Sequence, residues 1–582
     1  MSKVLKYEKE SQMPTVPISF GDMKWSKTGS WRYIRPKYED KTPPCNQACP
    51  AGNDIVRFLM LAEEGKFRTA WLKIKEENPL PGVCGRVCFH PCETHCNRNH
   101  YDDAVSIHRV ERSVADECRR VKSRHLDRYG KRSEKVAIFG SGPAGLSCAY
   151  HLALLGYRVE VFEALPVPGG ILRVGIPEYR LPLEILDREI SDIEALGVTI
   201  RPDTHVDGTL FDKLKKEYQA VFIATGAHRS QHLAISGEEG AGVIPGLTFL
   251  KEVRMGRQPR LGAKVAVIGG GNTALDAARS ALRSGSEPII LYRRSQEEIP
   301  AFADEIEEAL EEGIDIEFLT QPVQIIRENG RIAGLECMGM RLGSIDESGR
   351  KRPIPIEGSN FTYDVDGVIV AIGEAPDMSL MPSNVRMNWD SLTLKDTSKG
   401  ESRGVFFGGD LVSPARTVAD AIGSGKRGAI SIDAFLRKDN ISQAAEMTQI
   451  GETGGVSMRK YLDTAYRALS RHVVSLDELN TAYFKFMRRT EARKIPASAR
   501  ISDFREVNDG LSRREIRYEA ERCFKCGTCN DCENCYVFCP DVSILKGMRK
   551  LKHAINYDQC KGCGICFTEC PRNAISMEEE EK

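Results

Sequence analysis

Nineteen cysteines divide this 582-residue chain more sharply than any other feature. Six lie between Cys45 and Cys96, ten between Cys523 and Cys570, and only Cys118, Cys148 and Cys337 fall elsewhere. In a reducing compartment such thiols make poor structural disulfides, so metal ligation or redox chemistry is the first reading. The compartment follows from the N-terminus MSKVLKYEKESQMP, which lacks the charged-then-apolar pattern of a signal peptide. No run approaches the roughly 18 apolar residues of a membrane span, and a cytoplasmic, soluble protein is expected. Lys plus Arg (82) balance Asp plus Glu (82), which removes any global electrostatic case for nucleic acid or anionic membrane as the main partner.

Between the thiol-rich ends the chain turns glycine-rich. Residues 136–163, VAIFGSGPAGLSCAYHLALLGYRVEVFE, bring an apolar strand to Gly140, Gly142 and Gly145, then a helix, then a second strand ending at Glu163. The glycines permit a tight turn and close approach of a pyrophosphate to the helix N-terminus, and an acid about 20 residues on suits ribose hydroxyls. Such a βαβ unit does not by itself choose between FAD and NAD. Further signs come from PGGILRVGIPEYRLP directly after Glu163 and from GVFFGGDLVSPARTVADAIGSGKRGA at 404–429, both of which resemble segments of two-dinucleotide-domain flavoproteins. In the latter a strand delivers Asp410 to a turn, and a helix starting near Thr417 aims its N-terminus at a flavin carbonyl.

A second unit, KVAVIGGGNTALDAARSALRSGSEPIILYRR at 264–294, repeats the pattern with Gly269, Gly271 and Ala274 at the fingerprint positions. Its second strand ends in Tyr292, Arg293 and Arg294 rather than in an acid. A guanidinium fork suits a 2′-phosphate, so NADP(H) is favoured over NAD(H). No cysteine lies between Cys148 and Cys337, so a thiol–disulfide reductase is disfavoured and flavin electrons must leave through the cysteine-rich ends.

At the C-terminus, Cys560, Cys563, Cys566 and Cys570-Pro571 form C-x2-C-x2-C-x3-C-P, and Cys529, Cys532, Cys535 and Cys539-Pro540 form the same pattern upstream. In paired runs of this kind the fourth cysteine of each ligates the other's cluster. Cys529, Cys532, Cys535 and Cys570 are therefore assigned to one [4Fe–4S], and Cys560, Cys563, Cys566 and Cys539 to another; a zinc ribbon is the alternative. Cys523 and Cys526 extend the first run on the same spacing and are read as structural in preference to ligating something unassigned. The N-terminal set is Cys45, Cys49, Cys84, Cys88, Cys92 and Cys96, where zinc competes more seriously; His90 and His95 are read as loop residues, since thiolates suffice.

These readings partition the chain. A helical cysteine-rich domain at 1–133 begins with a polar, irregular stretch of about 40 residues and ends in the charged run ERSVADECRRVKSRHLDRYGKRSEK. FAD-binding parts follow at 134–241 and 373–440, flanking an NAD(P)H-binding domain at 242–372. A helical linker at 441–520, containing the GETGG step, leads to a ferredoxin-like α+β domain at 521–582. The expected fold is multidomain α/β with two Rossmann-like domains.

In order and type, CPAGNDIVRFL, VCGRVCFHPCETHC, the first glycine fingerprint, PGGILRVGIPEYRLP, GGGNTALD with YRR, and GGD resemble the glutamate synthase small subunit. They also resemble the N-terminal half of dihydropyrimidine dehydrogenase and the large subunit of NADH-dependent reduced ferredoxin:NADP oxidoreductase. The resemblance implies that Gly271, Asn272, Thr273 and Arg293 hold NADPH. It further implies that Glu163, Gly170, Ile171, Arg180, Gly409, Asp410 and Thr417 contact FAD. For an N-terminal cluster, Cys49, Cys88 and Cys92 match ligand positions, and Glu111 stands where relatives use a carboxylate or amide. Cys45 with Cys96 is the other way to complete it. The family's further cysteines upstream of Cys45 are missing, which leaves one or two N-terminal clusters open.

The ferredoxin-like tail departs from a plain glutamate synthase small subunit, and no glutaminase or pyrimidine-reducing domain is present. An electron-input subunit of a hetero-oligomer, passing electrons between NADPH and a catalytic partner through FAD and clusters, is the leading expectation. The alternatives are a self-sufficient NADPH:ferredoxin oxidoreductase, a flavin-bifurcating subunit working with a second flavoprotein, and a module whose nucleotide site is vestigial. Flavin is the converter such a protein needs, because nicotinamide moves two electrons and each cluster takes one. No side chain is required as general acid or base.

Overall fold

The computed structural model describes residues 8–12, 27–119, 130–347, 349–380, 386–387, 393–395, 402–413, 415–463, 466, 470–491, 493–547 and 553–580. Most of the polar N-terminal stretch and residues 120–129 of the charged run lie outside the described residues.

Short apolar β-branched runs need cover on both faces, and here they form two sheets with helices packed on them. The first has seven strands in the order Arg386–Met387, Thr393–Lys395, Ser402–Phe407, Ala220–Ile223, Lys135–Phe139, Arg158–Phe162, Thr199–Arg201. Its last five strands run parallel and the first two form an antiparallel edge. Helices Pro143–Leu154 and Val418–Leu436 pack together beside it. Their closeness depends on Gly425, where a Cβ would stand 2.1 Å from the Ala144 carbonyl oxygen.

The second sheet is wholly parallel, in the order Asp315–Phe318, Glu287–Tyr292, Lys264–Ile268, Gly367–Val370, Val243–Pro245. An antiparallel meander, Thr320–Glu328, Arg331–Ile345 and Lys351–Tyr363, is inserted before its Gly367–Val370 strand. The chain leaves the first sheet and returns to it through an antiparallel ribbon of Ala227–Ser230 with Glu374–Pro376.

The N-terminal lobe is helical: Ile55–Glu63, Phe67–Lys75, Pro81–Val87 and Ile107–Glu117 bury Phe58, Trp71, Ile74, Val110 and Val114 against one another. Two features depart from the sequence reading. Within the stretch read as irregular, Ile34–Tyr38 is a strand paired antiparallel with Ile575–Glu579 at the far end of the chain, and the Arg32 guanidinium forks onto Glu580 at 2.6 Å. The linker is also less helical than expected. Among its described residues, the helical positions after Thr448 are Met458–Leu462, Tyr466, the 3-10 turn Thr481–Tyr483, Ala497–Arg500 and Arg513–Glu521. Its extended parts satisfy their backbone on the N-terminal lobe instead. Thr42 N donates to His472 O at 2.9 Å, Val474 N to Thr42 O at 3.1 Å, and the Arg112 guanidinium to Asn508 O at 2.6 Å.

Candidate functional site

A cavity of about 610 Å³ opens where the two sheets and the N-terminal lobe meet. Its walls include Gly140, Gly142, Glu163, Gly170, Ile171 and Arg180 from the first fingerprint and the segment after it, and Gly409, Asp410 and Thr417 from the returning chain. Asn272 and Thr273 enter from the second fingerprint. Val87, the residue before Cys88, enters from the N-terminal lobe, and nothing in its own side chain could have announced this.

The cavity suits a flavin dinucleotide. Gly140 has φ +98°, and a Cβ there would lie 2.4 Å from the Ala224 oxygen, whereas at Gly142 a Cβ would meet nothing within 4 Å: the turn is tight on one side and open to a phosphate on the other. The Glu163 carboxylate closes the far end, accepting from Ser141 N at 2.9 Å, Ser141 Oγ at 2.5 Å and Leu165 N at 2.8 Å. Asp410 is the strongest sign of a missing polyol. Its buried Oδ1 has no hydrogen-bond partner among the described residues, and burial pushes its carboxyl up to about 6, opposed by Arg416. Thr417 caps the helix Val418–Leu436, its hydroxyl accepting from Asp420 N at 3.1 Å, so that helix points its positive end at the cavity. Arg180 lines the cavity already paired, with Asp276 at 2.7 Å and Glu305 at 2.8 Å, and bridges the two sheets' domains.

In the second unit Gly269 has φ +146°, and a Cβ would stand 2.2 Å from Ala371 O; Gly271 is open. Asn272 begins the helix Asn272–Arg283, its side-chain oxygen accepting from Phe302 N at 3.1 Å, and Ala274 is buried in the first turn. The two arginines at the strand end part company. Arg293 reaches the surface, and its charge is disfavoured first by desolvation and then by Arg294 and Arg350, a concentration of positive charge that a phosphate would relieve. Arg294 corrects the expectation of a two-arginine fork. It is 4% exposed, and its guanidinium is committed to Asp346 at 2.6 Å and to the Lys351 oxygen at 2.9 Å. Arg350, which no motif marks, is near enough to Arg293 to add to the positive charge there.

Around Val87 the N-terminal thiols gather. The Cys88 thiol is pushed up by burial and also by neighbouring Cys49 and Glu111, and Cys92 by burial and by Cys49 and Cys88. Asn53 and Asn78 donate to Glu111 Oε1 at 3.1 and 2.9 Å, orienting that carboxyl among the thiols; burial still pushes it up to about 8. Cys49, Cys88, Cys92 and Glu111 thus form one set that fits an iron–sulfur cluster. Cys45 has Cys523, Cys96 and Cys526 as thiol neighbours and also neighbours Cys92, and Cys96 neighbours Cys526. Cys148 and Cys337 are buried and neither lines the cavity.

In the tail, a small cavity is enclosed by Cys529, Cys532, Cys535 and Cys570 together, with the Tyr38 hydroxyl 3.1 Å from Cys535 Sγ. Cys560 has Cys539 and Cys563 as neighbouring thiols, and Cys566 has Cys560, Cys539 and Cys563. Backbone amides donate to the crossing ligands: Ala574 N to Cys570 Sγ and Ser543 N to Cys539 Sγ, each at 3.3 Å. These contacts group Cys570 with Cys529, Cys532 and Cys535, and Cys539 with Cys560 and Cys566.

The family model for pyridine nucleotide-disulphide oxidoreductases matches residues 134–438, more than half of the chain. The model for dihydropyrimidine dehydrogenase domain II, 4Fe-4S cluster, matches 38–123, and that for a 4Fe-4S binding domain matches 553–576. The chain is 40% identical over 519 residues to the NADP(+)-dependent formate dehydrogenase subunit beta of Moorella thermoacetica, covering 83% of this chain and 70% of that protein. It is 37% identical over 531 residues to the NADPH-Fe(3+) oxidoreductase subunit beta of Geobacter sulfurreducens, with 84% and 76% covered. It is 32% identical over 418 residues to the glutamate synthase [NADPH] small chain of Escherichia coli, with 68% and 89% covered. FAD, NADP(H) and [4Fe–4S] clusters are the cofactors that these matches and the cavities have in common. The chain belongs to the pyridine nucleotide-disulphide oxidoreductase family, among the iron–sulfur flavoproteins that include the glutamate synthase small chain.

Proposed function

We propose that this chain is the electron-input subunit of a cytoplasmic hetero-oligomer, drawing electrons from NADPH and delivering them to a catalytic redox partner. The observation that carries the reading is the single cavity walled by Gly142 and Asp410, by Asn272 and Thr273, and by Val87 next to Cys88. A flavin held there would have residues of the nucleotide site and Val87, next to the cluster ligand candidate Cys88, on its walls. FAD, when bound, accepts a hydride from nicotinamide and releases its electrons one at a time.

The chain's own residues bind and orient. Asn272 and Thr273 would present a helix N-terminus to the nucleotide, Arg293 would take the 2′-phosphate, Asp410 would accept from a ribityl hydroxyl, and the helix after Thr417 would face the flavin ring. None of them moves a proton. Relatives named as beta subunits support a partner for this chain.

The test is an anaerobic NADPH titration of the holoprotein, following flavin absorbance and cluster EPR together, with purification from native cells. Flavin bleaching followed by cluster signals, and a second redox subunit that co-purifies, is the expected result. Failure of NADPH and NADH alike to bleach the flavin overturns the hydride step, and a chain that purifies alone and reduces a free ferredoxin overturns the subunit reading.

A further inference from the structure

Of the eight thiols outside the three ligand sets above, four gather in one place: Cys45 and Cys96 from the N-terminal lobe, and Cys523 and Cys526, which the sequence reading leaned to taking for a structural pair. The fold brings them together from opposite ends of the chain. Asn97, next to Cys96, donates its amide to Cys526 Sγ at 3.5 Å and to Val474 O at 2.9 Å. The Arg98 guanidinium donates to the carbonyl of Arg522, next to Cys523, at 2.5 Å, and stands over the Phe524 ring at 4.9 Å. Lys41 N donates to the carbonyl of Gly527, next to Cys526, at 2.8 Å, which sets the same loop against the segment leading into Cys45. Cys45, Cys523 and Cys526 are 7–9% exposed.

We infer that Cys45, Cys96, Cys523 and Cys526 hold a further [4Fe–4S] cluster at the seam between the N-terminal lobe and the ferredoxin-like tail. Each thiol has others of the set as its electrostatic neighbours: Cys45 feels Cys523, Cys96 and Cys526, and Cys526 feels Cys523 and Cys96. The sulfurs are dressed as cluster ligands are. Lys525 N donates to Cys523 Sγ at 3.3 Å, and the Lys525 and Arg572 cations oppose the burial that disfavours a thiolate there. A zinc ion is the competing occupant. At a Zn–S distance of about 2.3 Å it would draw all four sulfurs within about 4 Å of one another. Among the described residues, no three of these sulfurs all lie within 4.8 Å of each other.

The position gives the site a task. Cys45 and Cys96 lie four residues from Cys49 and Cys92, and Cys526 lies three from Cys529. At no more than about 3.6 Å per residue, each of those ligands stands within roughly 15 Å of a ligand of the flavin-side or the tail cluster. The cluster is the intermediate station between them.

The inference does not depend on which partner the chain serves, and metal content tests it separately. Holoprotein purified anaerobically is compared with the Cys523→Ser/Cys526→Ser double variant for iron, acid-labile sulfide and zinc per flavin. Loss of about four irons and four sulfides, with flavin retained, is expected. Loss of zinc instead, or unchanged iron, overturns the assignment. Should the double variant fail to retain flavin, the single Cys526→Ser variant decides. A serine oxygen keeps the fourth ligand, so the EPR signal of one reduced cluster shifts while the others stay, and a spectrum identical to the parent's overturns it.

Discussion

Replacing Lys426 by Met tests how the cluster lobe is latched to the flavin domain. Lys426 lies in the helix Val418–Leu436, is fully buried, and donates to the Ala51 carbonyl at 2.6 Å and to Glu77 Oε2 at 2.5 Å. Glu77 is itself 2% exposed and accepts also from Ser457 Oγ at 2.6 Å, Met458 N at 2.9 Å and Arg459 N at 3.2 Å. Removing one partner of a buried pair costs about 3–5 kcal/mol, because the other charge stays buried. Here three donors remain on Glu77, which places the expected loss near 3 kcal/mol, and part of it is the orphaned Ala51 carbonyl. Adding Glu77→Gln removes the stranded charge, and an amide oxygen in the Oε1 position still accepts from Ser457 Oγ and Arg459 N, while the acceptor for Met458 N at Oε2 is lost. The pair K426M/E77Q is therefore expected to regain about 1 kcal/mol over K426M alone. Urea unfolding followed by flavin release measures both. A K426M loss under about 1 kcal/mol, or no recovery in the double variant, refutes the reasoning. The same cation stands beside Cys49, so its loss is also expected to move the nearest cluster's potential to more negative values.

Three further outcomes follow from the site. In flavin-free protein the Asp410 carboxyl at about 6, against an ordinary 3.8, is protonated in the folded chain while ionised in the unfolded one, so it makes stability fall as pH rises from about 4 to about 6, by about 3 kcal/mol. Asp410→Asn should therefore be more stable than the parent at pH 7 and not at about pH 4, by denaturant unfolding, and should release FAD more readily. Arg293→Ala is expected to raise the KM for NADPH about tenfold or more and leave that for NADH unchanged, since it removes a charge-assisted contact of about 1.5–3 kcal/mol. Steady-state flavin reduction with both nucleotides checks this, and equal losses would exclude a 2′-phosphate contact. Glu111→Gln should keep its cluster iron, because an amide oxygen can still ligate, whereas Glu111→Ala should lose about four irons per chain by metal analysis.

Much of this protein was legible in its sequence because the decisive signals are local. A glycine turn, its helix and its strands lie within about 30 residues, and steric need at Gly140 or Gly269 is set by the immediate backbone, so both dinucleotide units could be read directly. The expectation that Cys539 and Cys570 exchange between the tail clusters rests likewise on a short spacing. What only the tertiary structure decided involves residues far apart in the chain. Two adjacent arginines look alike in YRR, yet Asp346 claims Arg294 and leaves Arg293 free for a phosphate. Val87 and Lys426 carry no motif, and their roles come from the faces that packing gave them. The strand Ile34–Tyr38 was hidden because its hydrogen-bonding partner lies more than 500 residues away. For the same reason a CxxC pair at 523–526 read as an appendage of the tail: ligation needs sulfurs close in space, and Cys45 and Cys96 approach them only once both ends of the chain have folded onto the N-terminal lobe.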